Sequence, residues 1–178
     1  MNEINYGLRN CYYALKDDLK PLPLKGAISL RLDSQIDTQT KRLASNNATG
    51  FINTPIGLSD KGYTGTLELA SLPDTFMNDV LGYYKDDNGI IIKRRQTVKH
   101  FILLTEEQSN NNNGRRYQYL NCTCTGHNIN AQTTDEKITP NTITLQLIVS
   151  PNLDGIVYKI IRKSDNETIY NDWFNKVY

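Results

Sequence analysis

A chain of 178 residues is long enough for one domain with a real core. Its 20 basic and 19 acidic residues leave a formal charge of +1, which excludes the markedly basic balance of a general nucleic-acid binder. A 38% hydrophobic content with 11 tyrosines excludes a disordered chain.

No apolar run approaches the ~20 residues of a membrane helix, and the opening Met-Asn-Glu-Ile-Asn-Tyr shows no secretory leader. Three cysteines, Cys11, Cys122 and Cys124, are too few and odd in number for a disulfide framework and predict reducing surroundings. Without a secretory route, the sequons at Asn47, Asn121 and Asn166 predict no glycan.

In chain order, an opening strand is predicted over 11–15, then a turn at Asp17 and Asp18. Pro21 and Pro23 keep the next segment extended. Residues 26–33 alternate cleanly, with Ile28, Leu30 and Leu32 on one face and Ser29, Arg31 and Asp33 on the other. Residues 34–61 are rich in Gln, Thr, Asn, Ser and Gly, with isolated Leu43, Phe51, Ile52 and Ile56. They read as one long loop, with a short hairpin around 43–51.

In 62–84 the period changes midway. Leu67 and Leu69 alternate with Thr66 and Glu68 as in a half-buried strand. Pro73 ends the ladder, and Asp74 is the predicted cap of a short helix with Met77, Val80, Leu81 and Tyr84 on its apolar stripe and Gly82 closing it.

A hairpin turn follows at 85–89, then a strand over 90–94. Residues 99–105 are apolar on both faces and predict a central strand. The strand over 116–125 places Leu120, Cys122 and Cys124 on one side and Tyr117, Tyr119 and Asn121 on the other. Further strands are predicted at 142–150 and 157–162, and the tail 170–178, with the only Trp, packs on the body. With no βαβ alternation and no repeat, the fold class is mainly β: an antiparallel β-sandwich or half-barrel with one flanking α-helix, one domain over 1–178.

Little in the chain looks catalytic. The acidic pairs Asp17-Asp18, Asp86-Asp87 and Glu106-Glu107 sit at turns and strand ends, where charge is ordinary. Cys122-x-Cys124-x-x-His127 has zinc-like chemistry but no second pair, so small core residues on a strand are the better reading. Neither a metal nor a cofactor is expected, and no enzyme activity. Lys93-Arg94-Arg95 and Arg115-Arg116, with Tyr117 and Tyr119 beside them, are the only hint of a surface for single-stranded nucleic acid. More informative are Ser29, Arg31, Asp33, Thr66, Glu68, Thr144 and Gln146, which make hydrophilic strand faces. They describe either a solvated sheet face or the lining of a wet channel closed by strand pairing between subunits.

Short pieces spread along nearly the whole chain resemble the phi13-type major tail proteins of long-tailed phages of Gram-positive hosts. They are Tyr6-Gly-Leu with Tyr12-Tyr13-Ala14, Pro23-Leu-Lys-Gly-Ala-Ile-Ser-Leu30, Gly62-Tyr-Thr-Gly-Thr-Leu-Glu-Leu69 running into Leu72-Pro-Asp-Thr-Phe76, Leu81-Gly82-Tyr83, Tyr119-Leu-Asn-Cys-Thr123, Ile138-Thr-Pro-Asn-Thr142 and Trp173-Phe174. A departure is Leu43-Ala-Ser-Asn-Asn47, where the family carries an acidic, aromatic segment.

The resemblance implies a tail-tube subunit. Six copies form a ring, the inner strands merge into one barrel, and stacked rings conduct double-stranded DNA through a hydrophilic bore without gripping it. Partners implied are the chain itself, tape-measure, tail-tip and tail-terminator proteins, in the virion tail and, during assembly, the host cytoplasm, with no membrane. The seven polar residues above become bore candidates. Gln39, Lys41, Arg42, Leu43, Asn46, Asn47, Phe51 and Ile52 become ring-stacking candidates. The competing readings are a tail-terminator or adaptor that stops at one ring, and a small β-barrel that binds a ligand or oligonucleotide.

Overall fold

Residues 101–104 are apolar on both faces because their strand lies between two cores. Phe101 and Leu103 enter a large core, Ile102 and Leu104 a smaller one on the opposite side. The computed structural model describes residues 5–44, 51–93, 98–110, 113–128 and 141–178. It contains β1 (Asn5–Leu15), β2 (Leu22–Pro23), β3 (Ala27–Ala44), β4 (Phe51–Leu69), α1 (Asp74–Asp79), β5 (Tyr83–Lys85), β6 (Ile91–Lys93), β7 (His100–Ser109), β8 (Arg116–His127), β9 (Ile143–Val149), β10 (Tyr158–Ile161) and α2 (Glu167–Asp172).

All pairings are antiparallel. One sheet runs β2-β1-β7-β8-β9-β4-β3, with β10 added on β8, and β5–β6 form a separate hairpin. The sheet folds over itself. Leu67 and Leu69 of β4 and Leu145, Leu147 and Val149 of β9 meet Cys11 and Tyr13 of β1 and Cys122 of β8 across the large core, which Phe76 of α1 and Val80 and Leu81 just after it close. The fold is thus mainly antiparallel β with a short flanking helix, as its alternation predicts.

The strand β8 changes partner midway. Its first part pairs with β10 (Tyr158↔Tyr119) and its later part with β9 (Cys122↔Val149). Between them a register shift against β7 separates Phe101↔Cys122 from Leu103↔Tyr119. An extra residue in a strand reverses the alternation beyond it. The expectation that Leu120 shares a face with Cys122 therefore fails: Leu120 enters the smaller core, while Tyr119 and Cys122 both reach the large one.

Three further expectations change. Residues 34–44 and 51–61 are strand, not loop. Strands β3 and β4 pair continuously from Ala27↔Leu69 to Ala44↔Phe51, with three register shifts. The expected short hairpin around 43–51 falls at the far end of this ladder, with 45–50 outside the described residues. With Ile36, Ile56 and Leu58 scattered among polar residues the segment lacks the regular apolar alternation that announces a strand, although its Thr-rich backbone pairs with itself. Asp74 is the first helical residue rather than the cap, which is Pro73 without a side-chain bond. Finally, the tail contains a second helix, α2, capped by Asn166, whose side chain accepts the Ile169 N–H at 3.0 Å.

Candidate functional site: a polar sheet face and a projecting arm

Cross-strand register brings the seven bore candidates together. Ser29 pairs with Glu68 and Glu68 with Thr144; Arg31 pairs with Thr66 and Thr66 with Gln146; Asp33 extends the β3 side. Paired residues of antiparallel strands share a face. These rows therefore lie on the face of β3-β4-β9 opposite Leu67, Leu69, Leu145 and Leu147. The patch is internally bonded: Ser29 Oγ donates to Glu68 Oε2 at 3.1 Å, Thr142 Oγ1 to Glu68 Oε1 at 2.8 Å, and Arg31 Nε pairs with Asp33 at 3.2 Å. One arginine faces two carboxylates there, so the face offers no dense cationic track for phosphate.

β3 is the end strand of the sheet, so its outer edge has no partner among the described residues. Such an edge is a template for strand pairing with another chain.

Beyond Ser34↔Tyr63, β3 and β4 pair only with each other, because β4 leaves β9 at Tyr63↔Val149. The result is a projecting two-stranded arm. Gln39 and Lys41 of the stacking candidates are exposed on it. Arg42, Leu43, Phe51 and Ile52 lie in the paired backbone near its end, while Asn46 and Asn47 fall outside the described residues. Gly62 marks the root. Its φ is +90°, and a Cβ there would lie 1.9 Å from the Val149 carbonyl oxygen.

A third feature escaped the sequence reading. Between the two layers opens a cavity of about 400 Å³ lined by Leu8, Leu30, Leu32, Glu107, Tyr117 and Tyr119 among others. Tyr117 and Tyr119 stack with centroids 5.9 Å apart, and Tyr158 of β10 tilts onto both before meeting Tyr63 of β4. The two tyrosines at i, i+2 signal a shared face, but nothing local reveals that β10 brings a third.

Nor was the clamp under α2 legible. Glu106 is 2% exposed and pairs with Arg116 at 3.3 Å; it also accepts from Asn10. In the sequence Glu106-Glu107 is ordinary strand-end charge; in the structure the tail covers Glu106, which accepts from the Tyr170 hydroxyl.

The zinc-like run is taken up in packing. Cys122 and Cys124 face the large core, and burial pushes the thiols of Cys11 and Cys122 up to about 12 and that of Cys124 upward. His127 Nε2 lies 3.2 Å from the Tyr83 hydroxyl, and burial, then Lys93, lowers its pKa. Among the described residues no three His, Cys, Asp or Glu side chains are grouped to hold a metal.

No protein-family model matches this sequence, and no curated protein matches it. Solved structures do. A chain of the anti-feeding prophage baseplate, determined with six-fold symmetrisation, superposes with a TM-score of 0.57 at 7% identity, over 90% of this chain and 96% of that one. A chain of the same prophage's tube-terminating cap aligns over 89% and 93% at 16% identity, with a TM-score of 0.40, too low to carry an argument. The fold is therefore one also found in a chain of the anti-feeding prophage baseplate. The narrower phi13-type resemblance has no support from these comparisons.

Proposed function

We propose that the chain is a non-enzymatic structural subunit of a phage tail or tail-like tube. Six copies close a ring, β3-β4-β9 turns its hydrophilic face to the bore, and rings stack through the arm. The observation that carries this reading is the convergence of Ser29, Arg31, Asp33, Thr66, Glu68, Thr144 and Gln146 on one face beside an unpaired strand edge. The edge supplies the means of ring closure. The mixed charge of the face suits passing double-stranded DNA, because multiple Lys or Arg contacts would add a salt-dependent grip. Tape-measure, tail-tip and terminator proteins are the further partners this role requires, in the virion tail and, before it, the host cytoplasm.

A second reading has its own support. The likeness at a TM-score of 0.57 is to a baseplate chain, which favours a subunit that closes one ring at the end of a tube. Negative-stain imaging with sedimentation of the purified chain separates the two. Stacked rings with a central hole support the tube subunit, and single rings support the end-ring subunit. Persistent monomers at high concentration overturn both.

A further inference from the structure

The arm is two-faced. Along β3 the side chains of Leu30 and Leu32 point into the large core, and Ser34, Ile36 and Thr38 follow on the same side by strand alternation. Pairing adds Asp60 opposite Ile36 and Leu58 opposite Thr38. The inner face of the sandwich thus continues past the body, where nothing in the described chain covers it. Ile36 is 54% exposed and Leu58 76%. The other face carries Asp37, Gln39 and Ser59, with Asp37 bonded to Lys61.

The opposite layer has the converse defect. Tyr158 and Ile160 of β10 pair with Tyr119 and Tyr117, on the inner side of β8 at the cavity mouth. At 40% and 43% exposure they are inner-face residues only partly covered, Tyr158 touching the opposing layer at Tyr63. Among the described residues, one copy therefore has an inner face without an opposite layer along its arm, and an opposite layer only partly faced at β10.

We infer that the arm of one copy lies on the β8–β10 face of a second, Ile36 and Leu58 closing over Tyr117, Tyr158 and Ile160 at the mouth of its cavity. This rests on the ring-forming reading above and names the surface the arm seeks. The occupant is a second copy because the contact continues the chain's own sheet-on-sheet interface, using the same strand face that already packs there through Leu30 and Leu32. Polar groups agree. Glu107 Oε2 and Arg115 Nε, beside the mouth, are buried without a partner among the described residues. The arm's inner face brings a hydroxyl donor, Thr38, and a carboxylate acceptor, Asp60.

The test mixes two full-length variants, Leu58→Cys and Ile160→Cys, oxidises them under native conditions, and alkylates the remaining thiols before a non-reducing gel. A disulfide-linked dimer in the mixture, and in neither variant alone, is the expected result. A second measurement uses Leu58→Asp, whose exposed site leaves the fold intact. It should raise the concentration needed for assembly at least tenfold by sedimentation. Val98→Asp, at another exposed apolar position (74%), should not. If the mixture gives no dimer while the wild type still forms rings, the docking surface is wrong and the ring reading survives. If the wild type never leaves the monomer, both fall.

Discussion

The guanidinium carbon of Arg116 lies 3.7 Å from the centroid of the Tyr170 ring, so a strand and the C-terminal helix are joined by a stacked cation. The same guanidinium pairs with Glu106 at 3.3 Å and donates to the Tyr170 carbonyl. The Tyr170 hydroxyl donates to the Gly114 carbonyl at 2.8 Å, and Trp173 Nε1 to the Tyr117 carbonyl at 3.3 Å. The tail is thereby held over Ala14, Ile102, Leu104 and Leu120, which would otherwise face water.

Removing Arg116 should be costly. Arg116→Ala strands the Glu106 carboxylate in a buried site, a loss of about 3–5 kcal/mol when one partner of a buried pair is deleted. Against a typical total of about 5–15 kcal/mol this threatens the fold. Urea unfolding followed by the fluorescence of Trp173 measures it. Adding Glu106→Gln should recover part of the loss, and Arg116→Lys should remain well below wild type because a point charge does not reproduce the stacked fork. Equal stability of wild type and Arg116→Ala would contradict the clamp.

Two glycines predict backbone conflict. A Cβ at Gly65 would lie 1.8 Å from the Arg31 carbonyl oxygen, forcing β3 off β4; at Gly62 a side chain meets both the Val149 carbonyl and a φ of +90°. Gly65→Ala and Gly62→Ala should each destabilise by about 1–3 kcal/mol, the usual range for overpacking. Because Gly62 stands at the arm's root, its variant should also impair ring stacking at temperatures where the monomer remains folded. A thermal melt beside sedimentation separates these effects.

The buried thiols predict alkaline instability. Cys11 and Cys122 titrate near 9 when unfolded and at about 12 when folded. Between those values the unfolded chain has lost protons that the folded chain keeps, so stability falls as pH rises. The slope is at most about 1.4 kcal/mol per pH unit for each thiol. Well below pH 9 these groups impose no pH dependence, since both states then keep their protons. Urea midpoints from pH 8 to 11, with Cys11→Ala and Cys122→Ala flattening the decline, test this. Disulfide-exchange reagents at pH 8 should reach both thiols only after unfolding.

On the acid side the sign reverses in its proton count. The folded pKa of His127 is lowered, so the unfolded chain binds a proton first and stability falls as pH drops through the ordinary histidine range near 6.5. Lys93→Met removes the second cause and should raise the His127 pKa toward that value, read by NMR titration.

Much of the β architecture was legible locally. The alternation at 26–33, 66–70 and 142–150 names both the core face and the polar face, because strand side chains alternate with period two wherever one side is buried. The seven polar candidates could be listed from that pattern before their register was known. The arm was missed for the same reason: Ile36 and Leu58 are too few among its polar residues to show a period.

Sequence alone determined a mainly β chain, its apolar strand faces and the polar residues that share a side, since each is a property of neighbours along the backbone. Tertiary structure decided the rest. The bulge where β8 exchanges β10 for β9 chose which of Tyr119 and Leu120 enters the large core. The docking of α2 turned Glu106 from a strand-end charge into a buried ion. Both outcomes depend on distant residues meeting in space, Val149 reaching Cys122 in the first and Tyr170 reaching Glu106 across 64 positions in the second, and no local period encodes which distant element will arrive.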